Sequence, residues 1–249
     1  MNGKVYFVGG GPGDPELLTR KAWGILTSAE IVLHDALIAP EILRLVPAGA
    51  TLCDVGKRCG KKSITQDEIH ALLIGHALAG KTVVRLQGGD PVMFGRAAEE
   101  IDALREAGIA FEIVPGVTAA SAAAAAAGIS LTDRRHASKV IFLSGHRRAG
   151  QFEQGLRSIP VSGATYVIYM PGTDYARMVR ELGGAGIHLD MPCMVISQAS
   201  TPAQLIYRGK LSSLIDTPSL PTPSLLIVGE VAATADLETA TGLAVKTSS

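Results

Sequence analysis

The sequence predicts an α/β protein of two domains: residues 1–114 with a mainly parallel sheet, residues 115–249 with a mixed sheet, and an active-site cleft between them. Three observations carry this expectation. Short apolar strand-like runs alternate with helix-like segments through the first half, the pattern of a parallel sheet covered on both faces. Pro115-Gly116 interrupts that alternation and reads as a joint. After it, strand-like runs are more frequent and helices fewer, which suits a mixed sheet.

The elements follow in order. Lys4 to Val8 is a short β-rich run. Asp14, Pro15 and Glu16 then form a helix start: a capping acid, proline at the first helical position, and a second acid near the positive end. Leu17, Leu18, Ala22, Ile25 and Leu26 give that helix its apolar stripe. Ile31 to Leu33 and Thr51 to Val55 are further strands. Thr65-Gln66-Asp67-Glu68 is a capping box opening a helix through Ile69, Leu72, Leu73 and His76, stopped by Gly80. Thr82 to Leu86 is a strand, Glu99 to Ala107 a helix, and Phe111 to Val114 a strand. An alanine-rich helix spans Thr118 to Ala127, suited either to tight core packing or to close approach of a ligand. Strand-like runs follow at Val140–Ser144, Thr165–Met170, Met194–Ser197, Leu205–Tyr207 and Leu225–Val228, with one clear helix at Tyr175–Leu182.

Composition narrows the function classes. Hydrophobic residues make up 47% and charged ones 18% of 249, ample material for a core. Lys+Arg and Asp+Glu balance at 23 each, which disfavours an extended nucleic-acid surface but not a local basic cluster. Cys53, Cys59 and Cys193 match neither a zinc pair nor a disulfide framework, and read as free thiols in a reducing compartment. No secretory leader or membrane-length apolar stretch is present in the sequence, so a cytoplasmic location and no membrane partner are expected.

The most informative stretch is Val8-Gly9-Gly10-Gly11-Pro12-Gly13-Asp14-Pro15, a glycine-rich loop after a strand. Gly9 and Gly11 fit the first places of the dinucleotide fingerprint, but the third falls on Asp14, an acid that would face a pyrophosphate. No Gly-Lys-Ser/Thr follows, so it is not a P-loop either. A second glycine loop, Gln87-Gly88-Gly89-Asp90-Pro91, and Asp35 also fall at the ends of strands, where parallel sheets bind ligands. Taken singly, each has a plain structural reading: Gly88 to Pro91 is good turn sequence, Asp35 a turn residue, Met170 a core residue, and Lys57 a solvated lysine.

Read together, these blocks resemble the tetrapyrrole methylase family. The resemblance runs from about Val5 to Val231 and rests on the first glycine loop with Leu17-Leu18-Thr19, Val32-Leu33-His34-Asp35, Val55-Gly56-Lys57, Arg85 to Pro91 with Phe94-Gly95-Arg96, Val114 to Ala119, Tyr169-Met170, and Thr201-Pro202-Ala203-Gln204. It implies a homodimer that takes S-adenosylmethionine as methyl donor and releases S-adenosylhomocysteine, with no metal. The donor-binding residues it implies are Pro12, Gly88, Gly89, Asp90, Met93, Thr118, Ala119, Met170 and Ala199. The pattern is nearest to members that methylate uroporphyrinogen III at C2 and C7 to give precorrin-2, in sirohaem or cobalamin synthesis. In that reading Asp35 is the proton acceptor and Lys57 the proton donor. Arg58, Lys61, Lys62 and Arg134 are the side chains expected to meet the substrate's carboxylates; His146, ending a strand, reads equally as lining the site or as an ordinary polar loop residue.

Some positions depart from the family pattern: Gln87 for lysine, Ala97-Ala98 for a glycine pair, Ser130 for proline, Asp133 for histidine and Pro171 for glycine. They bear on substrate handling more than on donor binding. Alternatives outside the reading are a sibling enzyme acting at another ring carbon, a nicotinamide oxidoreductase, and a non-catalytic binding module. The pairing of Asp35 with Lys57 favours the first reading, and the chain is expected to be monofunctional.

Overall fold

The computed structural model describes residues 2–56, 64–146, 162–233 and 245–247, which form two compact units, residues 1–119 and 120–249. The division falls five residues beyond the predicted joint, because the backbone at Gly116 packs against Gly9 and Gly89 and so holds 115–119 in the first unit.

The first unit is a parallel sheet of five strands: β1 (Lys4–Gly9), β2 (Ile31–His34), β3 (Thr51–Asp54), β4 (Val83–Gln87) and β5 (Ala110–Val114), in the order β3-β2-β4-β1-β5. Alternate residues face opposite sides of each strand, and both sides are covered. Val5, Phe7, Leu33 and Val83 pack against Ile69, Leu73 and Ala77 of helix α3 (Gln66–Leu78) and against Ile101 and Leu104 of α4 (Ala97–Glu106). Val8, Val32, Val84 and Leu86 pack on the other side, against Ala22 and Leu26 of α1 (Arg20–Leu26) and Ile42 of α2 (Pro40–Leu43). All five strands therefore point their carboxyl ends to one edge.

The capping box forms as predicted: Thr65 Oγ1 accepts from Glu68 N at 3.2 Å, and Glu68 accepts from Thr65 N at 2.7 Å. The helix predicted to start at Asp14 does not. Asp14 caps a single 3-10 turn, Pro15–Leu17, and the α-helix begins only at Arg20, with Thr19 Oγ1 accepting from Ala22 N. Leu17 ends that 3-10 turn and Leu18 follows it; both are half-buried and neither belongs to the stripe of α1.

The second unit is a mixed sheet of β6 (Lys139–Ser144), β7 (Ala164–Tyr169), β8 (Pro192–Ser197), β9 (Leu205–Lys210), β10 (Ser224–Val228) and β11 (Val245–Thr247), ordered β11-β9-β8-β10-β7-β6. β6 and β7 pair in parallel, while β10 pairs antiparallel with both β7 and β8. The alanine-rich helix α5 (Ala119–Ala127) leads into this unit, and α6 (Tyr175–Gly184) buries Tyr175, Met178, Val179 and Leu182 against one sheet face. Among the described residues no helix is long and apolar enough to cross a membrane.

Candidate active site

At the carboxyl edge of the first sheet, three loops are tied into one platform. Gly11 N donates to Gly89 O at 3.1 Å and Gly89 N donates to Gly11 O at 2.7 Å, joining the loop after β1 to the loop after β4. Asp90 brings in the third: its Oδ2 accepts from Gly116 N at 3.0 Å, and its Oδ1 accepts from Val92 N at 2.9 Å. The backbones are in contact here. A Cβ on Gly9 would lie 2.5 Å from Gly116 N and 2.7 Å from Gly89 O. Gly89 faces the start of α5, with Ala119 N and Thr118 Cα within 4 Å of where its Cβ would stand. Met93 closes the turn after Asp90 by donating its N–H to Asp90 O at 3.1 Å. The structure thus brings Pro12, Gly88, Gly89, Asp90, Met93, Thr118 and Ala119 to the same loop cluster.

Asp35 stands on the adjoining loop, directly after β2. Leu37 of that loop touches Gly88, its Cβ 3.4 Å from where a Gly88 Cβ would be. The Asp35 side chain is 28% exposed and is held from behind by Arg85 of β4, whose Nη1 lies 2.7 Å from Asp35 Oδ1. Arg85 is itself buried. Its Nε donates to both carboxylate oxygens of Glu100 on α4, at 3.2 and 3.0 Å, and Glu100 Oε1 also accepts from Gln66 Nε2 at 2.9 Å. Burial works against the Arg85 charge, but the carboxylates of Asp35 and Glu100 outweigh it and raise the guanidinium above its ordinary value.

Reading the sequence missed Arg85, Glu100 and Gln66. The signal was available in the periodicity. Arg85 interrupts Val83-Val84-Arg85-Leu86-Gln87, a strand buried throughout, and Glu100 occupies the same helical stripe as Ala97, Ile101 and Leu104. A charged residue at a core position calls for a partner.

Two departures from the family pattern have local explanations. Gln87 is buried and donates its Nε2 to Gly95 O at 2.5 Å, tying the end of β4 to the loop before α4. Asp133 accepts from Arg135 N, Nε and Nη2 at 2.8, 3.0 and 2.7 Å, which holds its carboxyl well below the usual carboxylate range and cancels its charge with Arg135. Arg134 beside it is exposed and takes no part in that pairing.

In the second unit, Met170 and Ala199 follow β7 and β8 at one sheet edge, with β10 between those strands. Two strand spacings set them roughly 10 Å apart across the sheet. Met170, Gln198 and Ser200 have left-handed backbones with φ of 51°, 48° and 65°, conformations that side-chain-bearing residues adopt at a cost and that cluster at ligand sites. The second loop is held by Gln198 N donating to Pro223 O at 2.8 Å and by Ser200 N donating to Gln204 Oε1 at 2.7 Å. His146 is exposed beyond β6, at the same edge. Lys57, Arg58, Lys61, Lys62, Arg147 and Arg148 lie outside the described residues.

The loop cluster suits an adenosyl sulfonium. Each Asp90 oxygen accepts one protein bond and keeps a further acceptor position for hydroxyls or an ammonium. Met93 supplies soft apolar surface.

Comparison with known proteins gives a consistent picture. A family model described as tetrapyrrole (corrin/porphyrin) methylases matches residues 4–215. A siroheme synthase from Psychrobacter sp. (strain PRwf-1) is 45% identical over 233 residues, 92% of this chain and 48% of the relative. The chain thus spans about half the length of the curated relatives it matches. The native form of uroporphyrin III C-methyltransferase from Thermus thermophilus superposes with a TM-score of 0.80 at 37% identity, covering 93% of this chain and 99% of that one. Its complex with S-adenyl homocysteine gives 0.79 at 37% identity, with the same coverage of each chain.

Proposed function

This chain belongs to the tetrapyrrole (corrin/porphyrin) methylases, and we propose that it transfers two methyl groups from S-adenosylmethionine to C2 and C7 of uroporphyrinogen III, giving precorrin-2 and S-adenosylhomocysteine. The observation that carries this reading is the setting of Asp35: a carboxylate fixed by buried Arg85, beside glycine loops whose backbones are bare. Support also comes from the Thermus thermophilus structures, which match along nearly their full length.

The donor supplies an electrophilic methyl on a sulfonium, and the electron-rich pyrrole carbon attacks it. The protein's part is alignment, which contributes on the order of 7–11 kcal/mol when reacting atoms are held in line, and the proton traffic that follows. Pro12, Gly88, Gly89, Thr118 and Ala119 hold the donor by backbone and shape, Asp90 accepts from its hydroxyls or ammonium, and Met93, Met170 and Ala199 wall its apolar parts. Asp35 accepts the proton that the macrocycle loses as its double bonds rearrange, and Lys57 returns one. Arg58, Lys61, Lys62 and Arg134 meet the eight carboxylates of the substrate. With Asp133 neutralised by Arg135, the charge of Arg134 remains available for that role. A homodimer is part of the same reading and is checked by sedimentation.

Anaerobic incubation with uroporphyrinogen III and S-adenosylmethionine tests the reaction. A mass gain of two methyl groups with the absorbance of a dimethylated product is expected, and retention of NAD(P) with no methyl transfer overturns the assignment. Asp90→Ala is expected to weaken donor binding in calorimetry about ten- to hundred-fold, or about 1.4–2.8 kcal/mol, because it removes the acceptor for a ligand and releases Gly116 N together. Unchanged affinity would remove Asp90 from the donor site.

A further inference from the structure

The ionic chain behind Asp35 contains two carboxylates and one guanidinium. Glu100 is 1% exposed and Arg85 5%, whereas Asp35 reaches solvent. Burying such an arrangement is a poor way to stabilise a fold, since well-packed apolar residues of similar volume do as well or better. The neighbours are indeed apolar: Val83 precedes along the same face of β4, and Ala97, Ile101 and Leu104 share the stripe with Glu100.

The geometry assigns the chain a different task. Arg85 Nε is engaged with both oxygens of Glu100, while Nη1 points the other way, to Asp35 Oδ1 and to Leu86 O at 3.3 Å. Arg85 and Glu100 together are neutral. Asp35 therefore receives the orientation that a guanidinium gives without a full opposing charge. We propose that Glu100 is a positioning residue for proton acceptance at Asp35: it neutralises Arg85 from the far side, so that the arginine fixes Asp35 Oδ1 and leaves that carboxylate free to take a proton. Gln66, at the first turn of α3, holds Glu100 in the required rotamer.

Other polar groups near Asp35 are consistent with this. His34 of β2 sits with Nδ1 3.0 Å from the Asp35 carbonyl oxygen, on the backbone side. Asp54 of β3, the register partner of His34, is turned to its own loop, where Oδ1 accepts from Gly56 N at 3.0 Å. Arg85 is thus the cation that the described elements direct at the carboxylate, and Glu100 is the group that balances it.

The inference rests on Asp35 being the proton acceptor. Glu100→Gln tests it, since the amide keeps the volume and loses the charge. The full charge of Arg85 then bears on Asp35, and the acid limb of the kcat profile moves down by about one pH unit. The plateau kcat falls about tenfold. Donor affinity and the KM for the tetrapyrrole stay within about threefold. A folded Glu100→Gln variant with an unmoved acid limb overturns the proposal. Should that variant not fold by circular dichroism, Gln66→Ala decides. A kcat lowered at least about threefold at unchanged KM, with the acid limb moved down, supports the proposal, and an unmoved acid limb overturns it. Asp35→Asn separates the two levels. Full turnover in it sinks both readings, whereas an inactive Asp35→Asn beside a wild-type Glu100→Gln sinks this one alone.

Discussion

Asp35→Asn is expected to lower methyl transfer by about 10²- to 10⁴-fold, the usual contribution of a positioned general base, while donor binding stays within about threefold. The asparagine matches aspartate in shape, and its carbonyl oxygen can still accept from Arg85 Nη1, so the loop after β2 keeps its anchor. What it cannot do is take a proton. The glycine loops are separately secured by the Gly11–Gly89 pair and by Asp90, neither of which depends on Asp35. Product mass from anaerobic turnover, read beside calorimetric donor affinity, distinguishes lost chemistry from lost structure. Near-wild-type turnover would take Asp35 out of the proton traffic.

Gly9→Ala is expected to have a large structural effect on the loops of the first unit. The new carbon would stand 2.5 Å from Gly116 N, 2.6 Å from Gly116 Cα and 2.7 Å from Gly89 O, backbone atoms of loops held in place by hydrogen bonds at Gly116 N and Gly89 O. No flexible side chain is there to swing aside. Relief requires the three loops to part, at about 3 kcal/mol for overpacking of this severity, or roughly 6–12 °C in the melting transition of a chain of this length. Donor affinity should fall more than about tenfold with it. Gly75→Ala is the contrasting control. It lies within α3 with nothing within 4 Å of its added carbon, and alanine there is worth about 0.5–1 kcal/mol of added stability. A Gly9→Ala protein that melts with the wild type would show that the platform yields more readily than its contacts imply.

How much was legible in the sequence depended on how local the cause was. The capping box at Thr65 and Glu68 is complete within four residues, and it forms. The apolar strands are found nearly residue for residue because burial on both sides writes itself into composition, as at Val83–Gln87. The helix start at Asp14 failed through a competition between two nearby caps. Asp14 and Thr19 are both competent, and Thr19 takes the α-helix while Asp14 keeps one 3-10 turn. The short helix Pro40–Leu43 has too few turns to show a period. β9 runs on to Lys210 through Arg208 and Gly209 because antiparallel pairing with β8 carries it, not apolar pattern. The site divides in the same way. The glycine loops and Asp35 were visible as strand-end motifs. The support behind Asp35 was not, since it joins α3, β4 and α4 across 34 residues of sequence.

The reciprocal bonds between Gly11 and Gly89 have a consequence for how such a scaffold diversifies. They couple the loops after β1 and β4 so that neither can lengthen without the other losing its partner. Among the described residues, the loop after β2 carries no such staple to either glycine. Insertions and substitutions can accumulate there without disturbing the bonded pair. A single chassis can thus keep one coenzyme while its acceptor repertoire drifts, with heritable variation channelled to the unstapled half of the rim.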